Sequence, residues 1–134
     1  MATRGIYLIR IRKKYEEMSQ YFYCHWDNYP EGAAEYFIEA LAMDWKDQVH
    51  GKTILKKFAS IGGPMFISRP DEIGGIEYRY DVTETDDQLL VQAYGAFDTH
   101  NLEMFFDGTM EEFIKRWGTR NEQLIDKSAN PITL

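Results

Sequence analysis

Within ten residues, Tyr23-Cys24-His25-Trp26-Asp27-Asn28-Tyr29-Pro30-Glu31-Gly32, the chain changes its hydrophobic period from two to about 3.6. A strand must therefore run through a tight corner directly into a helix. Pro30 suits the first helical turn, where its missing N–H costs nothing, and Glu31 complements the positive helix N-terminus. Beyond it Ala34, Phe37, Ile38, Leu41 and Trp45 recur at three- and four-residue spacing, predicting a helix over about 30–48 that stops before Gly51.

Upstream of the corner, residues 5–12 and 19–26 are rich in β-branched and aromatic side chains, with Lys-Tyr-Glu-Glu between them. They read as a β-hairpin with a four- or five-residue loop. Pairing residue i with residue 31 minus i puts Tyr7, Ile9 and Ile11 on one face with Phe22, Cys24 and Trp26. That face is the expected core face. The opposite face carries Arg10, Arg12, Tyr21, Tyr23 and His25, and at the open end Arg4 faces Asp27. A cross-strand ion pair there would clamp the hairpin by about 0.2–1 kcal/mol.

Downstream, a short helix is expected over 52–60, stopped by Gly62-Gly63-Pro64, followed by an irregular loop from Met65 to Gly75. Ile76 to Val82 alternates strictly, with Glu77, Arg79 and Asp81 outward, and Leu89 to Tyr94 is its hairpin partner. A fifth strand covers Asn101 to Phe106, after which Asp107-Gly108 is expected to turn the chain. Thr109 and Glu112 form a Thr-x-x-Glu capping box ahead of Met110, Phe113, Ile114 and Trp117 at helical spacing. Thr119 and Glu122 repeat the box, and Pro131 marks a loose tail. Hairpins and helices without regular βα alternation predict an α+β fold: an antiparallel sheet of about five strands with three or four helices packed on one face. Residues 1–134 read as a single domain, with 118–134 as a C-terminal extension.

Composition narrows the function classes. An apolar fraction of 44% with 15% aromatics predicts an ordered interior. No apolar run reaches the roughly 18 residues a bilayer span needs, so the expectation is a cytosolic protein with no membrane partner. The one cysteine excludes an intramolecular disulfide framework, in keeping with a reducing compartment. A net charge of -7 argues against a duplex-DNA partner. The charge is uneven: residues 1–14 hold five bases and no acid, whereas Arg79 is the one base among the many acids of 71–112.

Cys24 beside His25 invites a nucleophilic reading, but strand alternation separates them and leaves Cys24 on the core side. His25 and Asp27 share a face and offer acid-base chemistry or two metal ligands. A zinc site needs a third protein ligand, and His50 and His100 have no matching spacing, so no metal and no cofactor is expected. Arg10, Arg12, Tyr21 and Tyr23 have the composition of a surface that stacks on nucleotides, or of a solvated sheet face. Gly62-Gly63 and Gly74-Gly75 match no phosphate-loop or dinucleotide pattern.

Thr3-Arg4 at the start of a strand, with the Cys24-His25-Trp26-Asp27-Asn28-Tyr29 corner, resembles a group of small bacteriophage and prophage proteins. That group combines a Thr-Arg opening with a Cys/Lys-His-Trp-Asp-Gly-Tyr corner. The likeness spans about residues 2–40, and 76–80 and 106–109 are compatible with it. Asn28 stands where the group has Gly, and Asn is the next residue to accept a left-handed backbone. The resemblance implies phage origin and a bacterial host cytosol.

Two function classes follow. One is a non-enzymatic accessory protein that binds a host protein or a small nucleotide-like ligand and blunts a bacterial defence system. Its expected ligand-binding residues are Arg4, Arg10, Arg12, Tyr23, His25, Asp27 and Tyr29. The other is a small hydrolase or nuclease using His25 and Asp27, with or without the help of a metal. An edge strand and the Tyr/Arg sheet face leave room for self-association.

Overall fold

The computed structural model describes residues 3–42, 54–70, 73–96 and 101–118. Across them run β1 (Gly5–Lys13), β2 (Glu16–Cys24), α1 (Pro30–Leu41), α2 (Ile54–Ser60), β3 (Met65–Ile67), β4 (Tyr78–Glu84), β5 (Leu89–Gly95), β6 (Glu103–Thr109) and α3 (Met110–Trp117). The class is α+β, as the patterning predicts. Trp45, His50, His100, the second capping box and the tail lie outside the described residues.

The sheet departs from the expected five antiparallel strands. Among the described residues it has six, in the order β3-β2-β1-β4-β5-β6, and it is mixed, because β1 and β4 run parallel. Hairpin patterning specifies local antiparallel pairs only. The contact between the two hairpins is made by the long connection through α1 and α2, which returns the chain to the start of β1. There the Arg4 carbonyl accepts from the amides of Glu77 (2.9 Å) and Tyr78 (3.3 Å), opening the parallel ladder. The sixth strand, β3, falls inside the stretch expected to be an irregular loop and pairs with β2 over three residues. Asp107 and Gly108, expected as a turn, lie within β6, which passes directly into α3.

The β1–β2 register is also shifted. Gly5 faces Cys24 and Lys13 faces Glu16, so partners sum to 29 and the connection shrinks to Lys14-Tyr15. A shift of two preserves both faces, so alternation cannot detect it. The face assignment stands for Tyr7, Ile9, Ile11, Phe22 and Cys24, all buried.

Helices cover the Tyr7 face. Phe37 of α1, Phe58 of α2 and Phe113 of α3 are fully buried there against Tyr7, Tyr80, Ile9, Val82 and Val91. The rings of Tyr7 and Tyr80 stack at 5.2 Å across the parallel pair, and Phe37 and Phe58 meet Tyr7 at 5.9 and 5.1 Å. Such pairs contribute about 0.5–1.5 kcal/mol each beyond the area they bury. On the opposite face Ile6 and Leu8 of β1 are buried outside that core. Arg79 of β4 reaches across β1 to the Tyr21 ring of β2, its guanidinium 6.0 Å from the ring centroid, so its aliphatic stem shields the residues beneath.

Candidate functional site

The corner between β2 and α1 is built around one buried amide. Asn28 is fully buried, and each of its polar groups has a partner. Its Nδ2 donates to the carbonyls of Cys24 (2.7 Å) and Thr3, its Oδ1 accepts from the Tyr7 hydroxyl (2.8 Å), and its amide donates to Thr3 Oγ1 (3.0 Å). The Asn28 carbonyl accepts from the Tyr80 hydroxyl at 2.6 Å. One residue, through its side chain and its backbone carbonyl, thereby joins the strand opening, both central strands and the corner.

Two glycines permit this close approach. A Cβ on Gly5 would lie 2.6 Å from the Asn28 Cβ, and one on Gly32 would lie 1.9 Å from the Asp27 carbonyl oxygen. The left-handed residue is Asp27, with φ 57°, and not Asn28 as the resemblance to the Gly-bearing corner led one to expect. Asn28 is needed for its side chain, whose two donors and acceptor fill a buried site that Gly leaves empty. Burial raises the Tyr7 hydroxyl well above its usual pKa, with the neighbouring Tyr80 adding to the effect, and burial likewise raises Tyr80. Both hydroxyls therefore stay protonated and donating.

The outer surface of the corner differs from the expectation in three respects. Trp26, assigned to the core, is 56% exposed: β2 ends at Cys24, so strand alternation no longer governs position 26. Arg4 and Asp27 do not pair. The Arg4 Nη1 donates to the Gly74 carbonyl (3.0 Å), while Asp27 Oδ1 accepts from the Tyr29 hydroxyl (3.4 Å). The cause is the register, which leaves Asp27 beyond the ladder in the bend. His25 and Asp27 also go separate ways, since His25 Nδ1 meets the Tyr23 hydroxyl at 2.7 Å and its ring packs edge-on to Trp26 at 4.6 Å. Cys24 is buried, its thiol 3.1 Å from the Tyr36 hydroxyl, which itself donates to the Trp26 carbonyl (2.9 Å). Burial, then that thiol contact, raises the Tyr36 pKa.

Of the candidate residues, the structure pairs Tyr23 with His25 and Asp27 with Tyr29 at this corner, while the Arg4 side chain turns to Gly74. Arg10 and Arg12 are not part of it. Arg10 lies five residues beyond Gly5, about 17 Å up the strand at ~3.4 Å per residue, with its Nε donating to Thr83 Oγ1 (3.1 Å). Arg12 is exposed opposite Glu17. Among the described residues no group of three or more His, Cys, Asp and Glu is placed to hold a metal ion.

The exposure of Trp26 and the burial of Asn28 are the two features of the corner that the sequence pattern does not show. The available signal was Tyr7 and Tyr80 on the core face: a buried tyrosine needs a partner for its hydroxyl, so a polar group had to be buried with them. A cleft of about 640 Å³ lined by Leu41, Leu89, Met110 and Ile114 lies at the opposite end of the sheet, beside the β4–β5 turn. No described helix is long and apolar enough to cross a membrane. Comparison of the chain with protein-family models, curated proteins and solved structures finds no match.

Proposed function

We propose that this chain is a non-enzymatic phage or prophage accessory protein that holds a host protein on the outer surface of the β2–α1 corner, blunting a bacterial defence system. The observation that carries this reading is Trp26, 56% exposed on a backbone fixed from within by Asn28. A large aromatic presented on an immobile corner is the usual anchor of a binding interface, since little freedom remains to be lost on binding. Tyr29 is exposed beside it, and Met65 and Phe66 are exposed on β3, the neighbour of β2. His25, packed edge-on to the Trp26 ring, and Asp27 supply a polar rim. The Thr3-Arg4 opening and the corner sequence support the phage origin.

A hydrolytic role would need His25 and Asp27 to act together, and the two side chains have different partners here. The binding reading is therefore preferred.

The test is capture from host lysate and native mass spectrometry with the wild-type chain, Trp26→Ala and Asp27→Gly. Trp26→Ala should keep the thermal midpoint and weaken the partner by about 30-fold, the effect of losing an interface anchor of about 2 kcal/mol. Asp27→Gly relieves a left-handed non-glycine residue, so it should fold at least as well while losing affinity. A partner retained undiminished by both variants, or the absence of any partner, would overturn the proposal.

A further inference from the structure

The helix-free side of β4 and β5 carries a second feature that the corner does not use. A cavity of about 300 Å³ opens there between Arg79, Asp81, Tyr94 and Leu102. We infer that this cavity is a binding site for one neutral, planar heterocycle of the purine type, with Arg79 reading its acceptor edge and Tyr94 stacking on its face.

The geometry of Arg79 is the starting point. Its Nε and Nη2 bind the Asp81 carboxylate at 2.8 and 3.3 Å, and its guanidinium stands 6.0 Å from the Tyr21 ring centroid. Asp81 is only 7% exposed, an unusual position for a carboxylate on an outward-facing strand position. The sequence pattern places it with the solvent-facing residues; the structure covers it because Arg79 lies over it. Held on one side by a carboxylate and below by a ring, the guanidinium is oriented before any ligand arrives. Its outer edge, Nη1 with the second hydrogen of Nη2, has no partner among the described residues. That edge is a fork of parallel donors.

The rest of the cavity selects what the fork can read. Tyr94 lies directly across from Arg79 in the β4–β5 ladder, and Leu102 supplies an apolar wall from the approach to β6. A flat ring can stack on Tyr94 and turn its edge to Arg79. About 300 Å³ is the lower end of the range for small-molecule sites, room for a single ring system. The Arg79–Asp81 pair is neutral as a unit and the chain carries -7, so neither the site nor the long-range field favours a phosphate. A neutral ligand with two adjacent acceptors fits. Guanine presents O6 and N7 in that arrangement, whereas adenine replaces O6 with a donor. Asp81 is a positioning residue: its carboxylate is engaged by Arg79, which it aims.

The test titrates the full chain with guanosine, adenosine and guanosine monophosphate, following backbone amides by NMR and affinity by calorimetry. Guanosine should move the amides of Arg79, Asp81 and Tyr94 and bind about tenfold more tightly than adenosine. The monophosphate should bind no better than guanosine. Tyr94→Leu, which leaves the ion pair intact, should fold normally and weaken guanosine by about tenfold. Arg79→Lys keeps a cation beside Asp81 and should erase the preference over adenosine. Trp26→Ala should change none of these values, which separates this site from the corner. The inference is overturned by a guanosine titration that leaves the β4–β5 amides unmoved, by equal affinity for adenosine, by a tighter monophosphate, or by unchanged binding in Tyr94→Leu.

Discussion

Asn28 shows how one side chain can hold a corner that several strands share. Its Nδ2 donates to the Thr3 and Cys24 carbonyls and its Oδ1 accepts from the Tyr7 hydroxyl, while its backbone carbonyl accepts from the Tyr80 hydroxyl. Replacing it by Ala leaves the Tyr7 hydroxyl and two carbonyls unpaired, at about 1–3 kcal/mol each. Asn28→Ala should therefore lower the urea-unfolding free energy by about 3 kcal/mol or more. Tyr7→Phe removes one donor and leaves one acceptor orphaned, so about 1–3 kcal/mol is expected in the same measurement. A loss from Asn28→Ala no larger than that from Tyr7→Phe would show that the network is not anchored on Asn28. None of this is written in hydropathy, because Asn28 looks like a surface turn residue when read beside Asp27 and Tyr29. Only the three-dimensional meeting of Thr3, Tyr7 and Tyr80 gives it a buried role.

Helix α3 is the element whose sequence signal and structure agree most closely. Thr109 Oγ1 accepts from the Glu112 amide (3.1 Å), and the Glu112 carboxylate accepts from the Thr109 amide (2.8 Å), which is the reciprocal box read from Thr-x-x-Glu. Local chemistry of this kind needs no tertiary information. Thr109→Ala should cost about 1 kcal/mol, read as a lower thermal midpoint. The hydrogen bonds from the Thr109 backbone and side chain hold the Glu112 pKa below its usual value. A carboxylate whose folded pKa is depressed stabilises above its unfolded pKa and loses that contribution as pH falls through the folded value. The midpoint difference between wild type and Glu112→Ala should thus be constant at neutral pH and close below about pH 4. A difference that persists into strong acid would refute the carboxylate's role. In contrast, β3 carries too little local signal to be seen: three residues, two of them exposed, become a strand only because β2 offers a free edge.

The molecule as a whole stands on an aromatic core that contains ionisable hydroxyls. Tyr7 and Tyr80 are held protonated by burial, above the usual tyrosine value of 10.0. For an acid whose folded pKa is raised, stability is fully present below the unfolded value and falls as pH rises above it. Urea-unfolding stability should be flat up to about pH 9 and then decline, with Tyr80→Phe showing a shallower decline at the cost of the Asn28 carbonyl bond. Equal slopes in the two proteins would place the alkaline transition elsewhere. The sequence by itself determined the α+β class, the two faces of β1 and β2, the entry into α1 at Pro30 and the cap of α3. Each follows from a period or a local hydrogen bond. Tertiary structure alone decided the two-residue register shift, the parallel meeting of β1 and β4, the outward turn of Trp26 and the burial of Asn28 and Asp81. Alternation is blind to a shift of two, and a polar side chain is indifferent to burial once its partners, distant in sequence, are brought to it.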